Sequence, residues 1–183
     1  IGGAMTFLDF ILGRAVGLSW TDGQSQTDVI SGPVAQPYAP INGDDTDETL
    51  TGTPGVDVIR SYGGDDSVYG EGGSDDINTG LGDDWADGGS GHDTILGGPG
   101  RDTLFGGLHA DVLDGGPDHD RINGDVGNDH LTGGDGNDWI WGGGGADTIV
   151  GGGDGSDGLR GEEGDDSIIV GTGSVLVSGG PGD

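Results

Sequence analysis

A nine-residue period governs this chain, and it leaves few folds open. From Gly43 to Ser178 the sequence divides into fifteen units, with one extra residue in GGGDGSDGLR (151–160). Units from the middle read GGSGHDTIL (88–96), GGPGRDTLF (97–105), GGDGNDWIW (133–141) and GGGGADTIV (142–150). The sixth position carries Glu48, Asp57, Asp66, Asp75, Asp84, Asp93, Asp102, Asp111, Asp120, Asp129, Asp138, Asp147, Asp157, Asp166 and Val175. The eighth carries Leu50, Ile59, Val68, Ile77, Ala86, Ile95, Leu104, Leu113, Ile122, Leu131, Ile140, Ile149, Leu159, Ile168 and Val177. A random Gly/Asp-rich tract would scatter its few aliphatic residues; here every unit places one in the same column.

The unit has a simple physical reading. Positions seven to nine alternate variable, aliphatic, variable, which is a very short strand with one side chain inward. The first six positions carry Gly where a turn needs positive φ or close backbone approach. Each unit is therefore turn plus strand, and two units make one coil of about 18 residues, stacked on the next at the strand spacing of about 4.8 Å. The inward aliphatics form a thin core between two parallel sheets, so the expected fold is an all-β solenoid.

Such a core is too small to fold the chain unaided. Of 183 residues 47 are Gly, only 30% are hydrophobic, and Asp plus Glu outnumber Lys plus Arg by 34 to 5. This composition belongs to disordered chains, and each Gly adds backbone entropy that ordering must overcome. A multivalent cation would both offset the net charge of −29 and organise the carboxylates. With no Cys there are neither disulfides nor thiolate sites. The acidity argues against nucleic acid as a partner.

Carboxylates and carbonyls in an irregular loop cage suit Ca²⁺, whereas Mg²⁺ demands near-octahedral geometry and Zn²⁺ favours His or Cys. The array resembles the repeats-in-toxin (RTX) family, whose unit is Gly-Gly-x-Gly-x-Asp-x-aliphatic-x, over residues 43–178. The resemblance implies a parallel β-roll, a right-handed two-sheet solenoid. In it Ca²⁺ sits between successive loops on one edge, held by the sixth-position Asp and by loop carbonyls. By position, the implied metal ligands are Asp57, Asp66, Asp75, Asp84, Asp93, Asp102, Asp111, Asp120, Asp129, Asp138, Asp147, Asp157 and Asp166. Pairing them two units apart predicts about 11 Ca²⁺ ions, five on one edge and six on the other.

Several units depart from the pattern. Glu48 and Val175 replace the ligand Asp in the terminal units, as befits capping repeats. His109 and Asp118 stand at position four in place of Gly, Ser61-Tyr62 replaces Gly-Gly, and the extra residue near Asp154–Asp157 is expected to bulge one loop. The chain ends at GGPGD (179–183), inside a sixteenth repeat, and lacks an initiator Met, which reads as a piece of a longer protein. Type I secretion signals in the resembled family lie at the extreme C-terminus, so this array is expected to act in an extracellular or cell-surface setting. A periplasm-facing or membrane-associated setting is the alternative.

Three segments emerge: an apolar stretch (1–20), a polar Pro-containing linker (21–42) and the repeat array (43–183). Phe7, Leu8, Ile11, Leu12, Ala15 and Val16 fall near helical spacing. Residues 4–18 are read as a helix that caps or packs on the roll, or that contacts a membrane or a larger assembly. No basic region precedes them, so they do not read as a secretory signal.

No His-Glu-x-x-His or Gly-x-Ser-x-Gly motif is present. His92, His109, His119 and His130 are scattered over solvent-facing positions, with no shared site expected, and no catalytic activity is expected. Two functions remain: a secreted structural module whose folding calcium triggers, or an accessory subunit anchored by residues 4–18 with the roll as a rigid spacer. One asymmetry bears on partners. In odd-numbered repeats the outward positions carry Tyr69, Trp85, Phe105, Trp139 and Trp141, while the largest apolar residues that even-numbered repeats present there are Leu96, Val150 and Ile169. The odd face is therefore expected to be a contact surface, for the chain's own N-terminal segment or for a protein partner.

Overall fold

The eighth-position column builds the core. In the computed structural model, which describes residues 39–182, Ile59, Val68, Ile77, Ala86, Ile95, Leu104, Leu113, Ile122, Leu131, Ile140, Ile149 and Leu159 have no exposed surface. Ile41, Leu50, Ile168 and Val175 pack against them at the two ends. Each inward side chain lies beside its equivalent one coil away, as in the register Ile77–Ile95–Leu113. A stack of one aliphatic per unit is self-complementary at every level.

Alternate units feed opposite sheets, so two parallel eight-stranded sheets face each other. One comprises β1 (Ile41–Asn42), β3 (Val58–Arg60), β5 (Asp76–Asn78), β7 (Thr94–Leu96), β9 (Val112–Pro117), β11 (His130–Asp135), β13 (Thr148–Gly152) and β15 (Ser167–Ile169). The other, formed by the odd repeats, comprises β2 (Thr49–Thr51), β4 (Ser67–Tyr69), β6 (Trp85–Ser90), β8 (Thr103–Leu108), β10 (Arg121–Val126), β12 (Trp139–Gly144), β14 (Gly158–Glu163) and β16 (Leu176–Ser178). The fold is thus an all-β two-sheet parallel solenoid with about 18 residues per coil, as the period predicts. Pairing begins at Ile41, opposite Ile59, just before the first full repeat.

Most mid-array strands are longer than the predicted three residues, β7 being the exception. β6, for example, pairs with β8 through Gly89–Gly107 and Ser90–Leu108. Strand pairing runs on into the next unit because its second position turns with φ near +100°, as at Gly98 (φ 109) and Gly107 (φ 104), a region Gly reaches without a Cβ clash. His109 and Asp118, which stand at position four in place of Gly, adopt a left-handed backbone (φ 81 and 85). The flanking strands keep register there, with Val112 opposite His130. The extra residue near Asp154–Asp157 is absorbed between β13 and β14: Thr148 pairs with Ser167 and Trp139 with Gly158, a step of 19 residues where others step 18.

The five strand aromatics share the outer face of the odd-repeat sheet. Trp85 lies between Tyr69 and Phe105, with ring centroids 4.8 and 5.7 Å away. Trp139 stacks on Trp141 at 6.1 Å and lies across Gly158, leaving no room for a side chain there. Tyr69 and Trp139 remain 38% and 42% exposed. The apolar segment 4–18, read as a possible cover for this face, lies outside the described residues. Among the described residues no helix is long and apolar enough to cross a membrane.

Candidate metal centre: two stacked carboxylate ladders

The sixth-position residues lie at the ends of the turns, where the chain enters a strand. Successive units alternate edges, so the column splits into two ladders. Twelve of the thirteen Asp residues are buried: Asp57, Asp66, Asp75, Asp84, Asp93, Asp102, Asp111, Asp120, Asp129, Asp138, Asp147 and Asp157. Asp166, near the end of the array, is half-buried. For acidic side chains this is extreme, since Asp is rarely buried without a partner.

One bond type repeats along each ladder. The backbone N–H of each residue donates to Oδ1 of the Asp one coil later. On one edge Glu48 donates to Asp66 at 2.8 Å, Asp66 to Asp84 at 2.8 Å, Asp84 to Asp102 at 2.9 Å and Asp102 to Asp120 at 2.9 Å. Asp120 then donates to Asp138 at 3.0 Å and Asp138 to Asp157 at 3.1 Å. On the other edge Asp57, Asp75, Asp93, Asp111, Asp129 and Asp147 donate in turn to Asp75, Asp93, Asp111, Asp129, Asp147 and Asp166 at 2.7–2.9 Å. All eleven Asp pairs expected from the repeat arithmetic are therefore in contact.

The second oxygen is the informative one. In Asp66, Asp75, Asp84, Asp93, Asp102, Asp111, Asp120, Asp129, Asp138 and Asp147, Oδ2 is buried with no hydrogen-bond partner. One such atom costs about 1–3 kcal/mol, more when charged, and like charges stacked one above another add repulsion. Among the described residues no Lys or Arg pairs with them. The sole ion pair among the described residues, Arg60 with Asp76 at 2.7 Å, lies elsewhere. A row of buried oxygen acceptors, backed by loop carbonyls, is a donor set that fits a hard dication such as Ca²⁺.

Electrostatics report the same demand. Burial is the main cause, and the like charge of ladder neighbours adds to it, in pushing Asp102 up to about 8 and Asp111 and Asp120 to about 7. Asp75, Asp129 and Asp138 rise to about 6 for the same reasons. The N–H bond to each carboxylate opposes the rise and is outweighed.

The Gly at position one makes room for these carboxylates. A Cβ on Gly88 would stand 2.6 Å from Asp93 Oδ2 and 2.8 Å from the carbonyl oxygen of Gly106. We expect Gly88→Ala to destabilise the folded roll by roughly 1–3 kcal/mol, as overpacking does, and to shift the calcium midpoint upward by displacing Asp93. Paired thermal melts and calcium titrations check both effects; an unchanged midpoint would show that the Asp93 carboxylate tolerates the methyl group.

The ladder ends differ. At the start of one, Asp57 Oδ2 accepts from Thr53 N–H at 2.6 Å and from Thr53 Oγ1 at 2.9 Å. At the start of the other, Glu48 Oε2 accepts from Asp44 N–H at 3.0 Å. Val175, at the other end, packs against the core.

Two features were not legible in the repeat pattern. Position five forms a further ladder: Asp65 N–H donates to Asp47 Oδ1 at 3.0 Å, Asp83 N–H to Asp65 Oδ1 at 2.9 Å and Arg101 N–H to Asp83 Oδ1 at 2.9 Å. Those carboxylates are committed to backbone donors. The histidines, expected to be scattered, include one adjacent pair, His92 and His109, with ring centroids 5.7 Å apart. Its members are 17 residues apart in sequence, and only stacking of coils brings them together.

A family model for the RTX calcium-binding nonapeptide repeat matches residues 42–77, 51–86, 87–122, 123–157 and 160–183. None of the curated proteins compared with the chain matches it. The matched segments span nearly the whole solenoid, ladders included, and the chain belongs to the RTX calcium-binding nonapeptide repeat family.

Proposed function

We propose that this protein is a structural module that folds on binding a row of Ca²⁺ ions outside the cytosol, in an extracellular or cell-surface setting, and has no catalytic role. The observation that carries the reading is the row of ten buried Oδ2 atoms without hydrogen-bond partners. The thirteen sixth-position Asp residues are the proposed ligands, about 11 ions in all. When bound, Ca²⁺ supplies the positive charge and the oxygen coordination that these carboxylates otherwise lack. The protein's own contribution is alignment: from Asp66 onward each Oδ1 is held by a backbone N–H of the preceding coil, so Oδ2 is fixed in direction and needs little ordering on binding. Each inner Asp faces a neighbour above and below, so binding is cooperative along an edge.

The test is a pair of variants. Asp102→Ala removes a carboxylate shared by the proposed 84/102 and 102/120 sites, and is expected to lower the bound calcium by about two ions and raise the folding midpoint several-fold. Glu48→Ala, at the end of its ladder, is expected to change neither by much. Calcium titrations followed by calorimetry and circular dichroism measure both; equal behaviour of the two variants would overturn the shared-ligand scheme.

A second reading is favoured by the aromatic face. In it the protein is an accessory subunit held on a protein or membrane assembly through residues 4–18, with the calcium-loaded roll as a rigid spacer. The exposed rings of Tyr69 and Trp139 support a partner on that face. Association with detergent or vesicles that disappears when residues 1–20 are removed would distinguish this reading from the first.

A further inference from the structure

The His92–His109 pair has geometry that its isolated sequence positions give no hint of. Both side chains are exposed, on neighbouring coils of one edge, with ring centroids 5.7 Å apart and planes inclined at 56°. His92 Nδ1 lies 2.9 Å from the Ala110 carbonyl oxygen and His109 Nδ1 lies 2.8 Å from the Leu108 carbonyl oxygen. A carbonyl can only accept, so each Nδ1 is the donor. In the neutral rings the proton sits on Nδ1 and the Nε2 lone pair is free in both.

His119 shows the opposite arrangement. Its Nδ1 accepts from the N–H of Asn137 at 2.8 Å, so its neutral ring carries the proton on Nε2. Fixing Nδ1–H on a backbone carbonyl is the way proteins orient a histidine whose Nε2 binds a metal. Spacing agrees as well: two imidazoles on one tetrahedral ion, with metal–nitrogen bonds of about 2.0–2.1 Å, have ring centres roughly 5.2 Å apart. His109 also occupies a left-handed position, φ 81, where most equivalent units carry Gly, as at Gly91 and Gly100 (φ 148 and 143), Asp118 (φ 85) being the other departure. A bulky side chain stands there against backbone preference.

We propose that His92 and His109 form a surface site for a transition-metal dication of the Zn²⁺ or Ni²⁺ class, separate from the calcium ladders, with both Nε2 atoms as ligands. Imidazole nitrogen suits these ions and not Ca²⁺. Among the described residues no His, Cys, Asp or Glu completes a group of three, so water fills the remaining positions and the ion exchanges freely. Bound there, it clips two successive coils of one edge together.

The experiment uses the full chain in excess Ca²⁺, which keeps the carboxylate ladders occupied, titrated with Ni²⁺ and separately with Zn²⁺ by calorimetry. The expected result is one ion bound per chain, weakened about tenfold or more by His92→Ala or His109→Gly and unchanged by His119→Ala. Gly suits the left-handed backbone, so His109→Gly removes the ligand without disturbing the turn. Equal binding by all four proteins would overturn the proposal. Long-range ¹H–¹⁵N spectra of the rings give an independent readout: Nδ1–H tautomers at positions 92 and 109 and an Nε2–H tautomer at 119 are expected, and Nε2–H at the first two would also overturn it. Circular dichroism in Ca²⁺ alone, recorded for each variant, separates failure of this site from failure of the calcium-dependent fold.

Discussion

In excess EDTA at neutral pH the chain is expected to lose its β-sheet circular dichroism and behave as a disordered polymer, and to regain the fold cooperatively in roughly millimolar Ca²⁺. The physical balance is one-sided without the ion. The fully buried core is twelve aliphatic side chains, against the ordering entropy of a chain with 47 Gly. Ten buried carboxylate oxygens without partners and a net charge of −29 act against the folded state as well. About 11 divalent ions would offset most of that charge. Because each ligand is shared between neighbouring coils, the transition should be steep. A spectrum unchanged between EDTA and saturating Ca²⁺ would falsify the coupling of binding to folding.

Acid is expected to substitute in part for calcium. A carboxyl whose pKa is higher in the folded state than in the unfolded chain binds more protons when folded. Its contribution to stability is therefore fully present below the unfolded value, about 3.9, and is lost as pH rises through the folded value. Here that window closes near pH 6 for Asp75, Asp129 and Asp138, near pH 7 for Asp111 and Asp120, and near pH 8 for Asp102. Each group moves stability by up to about 1.4 kcal/mol per pH unit inside its window. In EDTA, β structure should thus rise as pH is lowered from 8 toward about 4. Because the same protonation stabilises the folded chain, the Ca²⁺ concentration needed for folding should fall over that range. Circular dichroism across a pH series, with and without EDTA, measures both; a folding midpoint that moves to higher Ca²⁺ as pH is lowered would contradict the substitution of protons for the ion.

The solenoid and the ladders were legible in the sequence because both depend on a period. An inward side chain every second residue over Thr94-Ile95-Leu96 and its equivalents determines which way each aliphatic faces, and the parity of the unit determines which sheet receives it. The same parity places Tyr69, Trp85, Phe105, Trp139 and Trp141 on one face. It also paired Asp84 with Asp102 and Asp93 with Asp111, because residues 18 apart must stack once a coil holds two units.

What only the tertiary structure decided lies in the turns and between coils. The pattern made positions one to six a turn, whereas β6, β8, β9, β10, β11, β12, β13 and β14 run on into the following unit, since a positive-φ residue at its second position, Gly in most and Asp125 or Glu162 in β10 and β14, bends the backbone without leaving the ladder of hydrogen bonds. Position five varies in type from Asp83 to Ser74 to Asn128, so composition gave no sign that each accepts an N–H from the coil above. The division of labour within each carboxylate, Oδ1 bonded and Oδ2 bare, is set by how one coil seats on the next. The approach of His92 to His109, at different positions of different units, follows no repeat at all. The sequence by itself determined this protein's period, core, sheet assignment and acidic columns, because those follow from local backbone alternation. Side-chain direction in the turns, tautomer and partner depend on the register between coils, a property of the stack that no single unit contains.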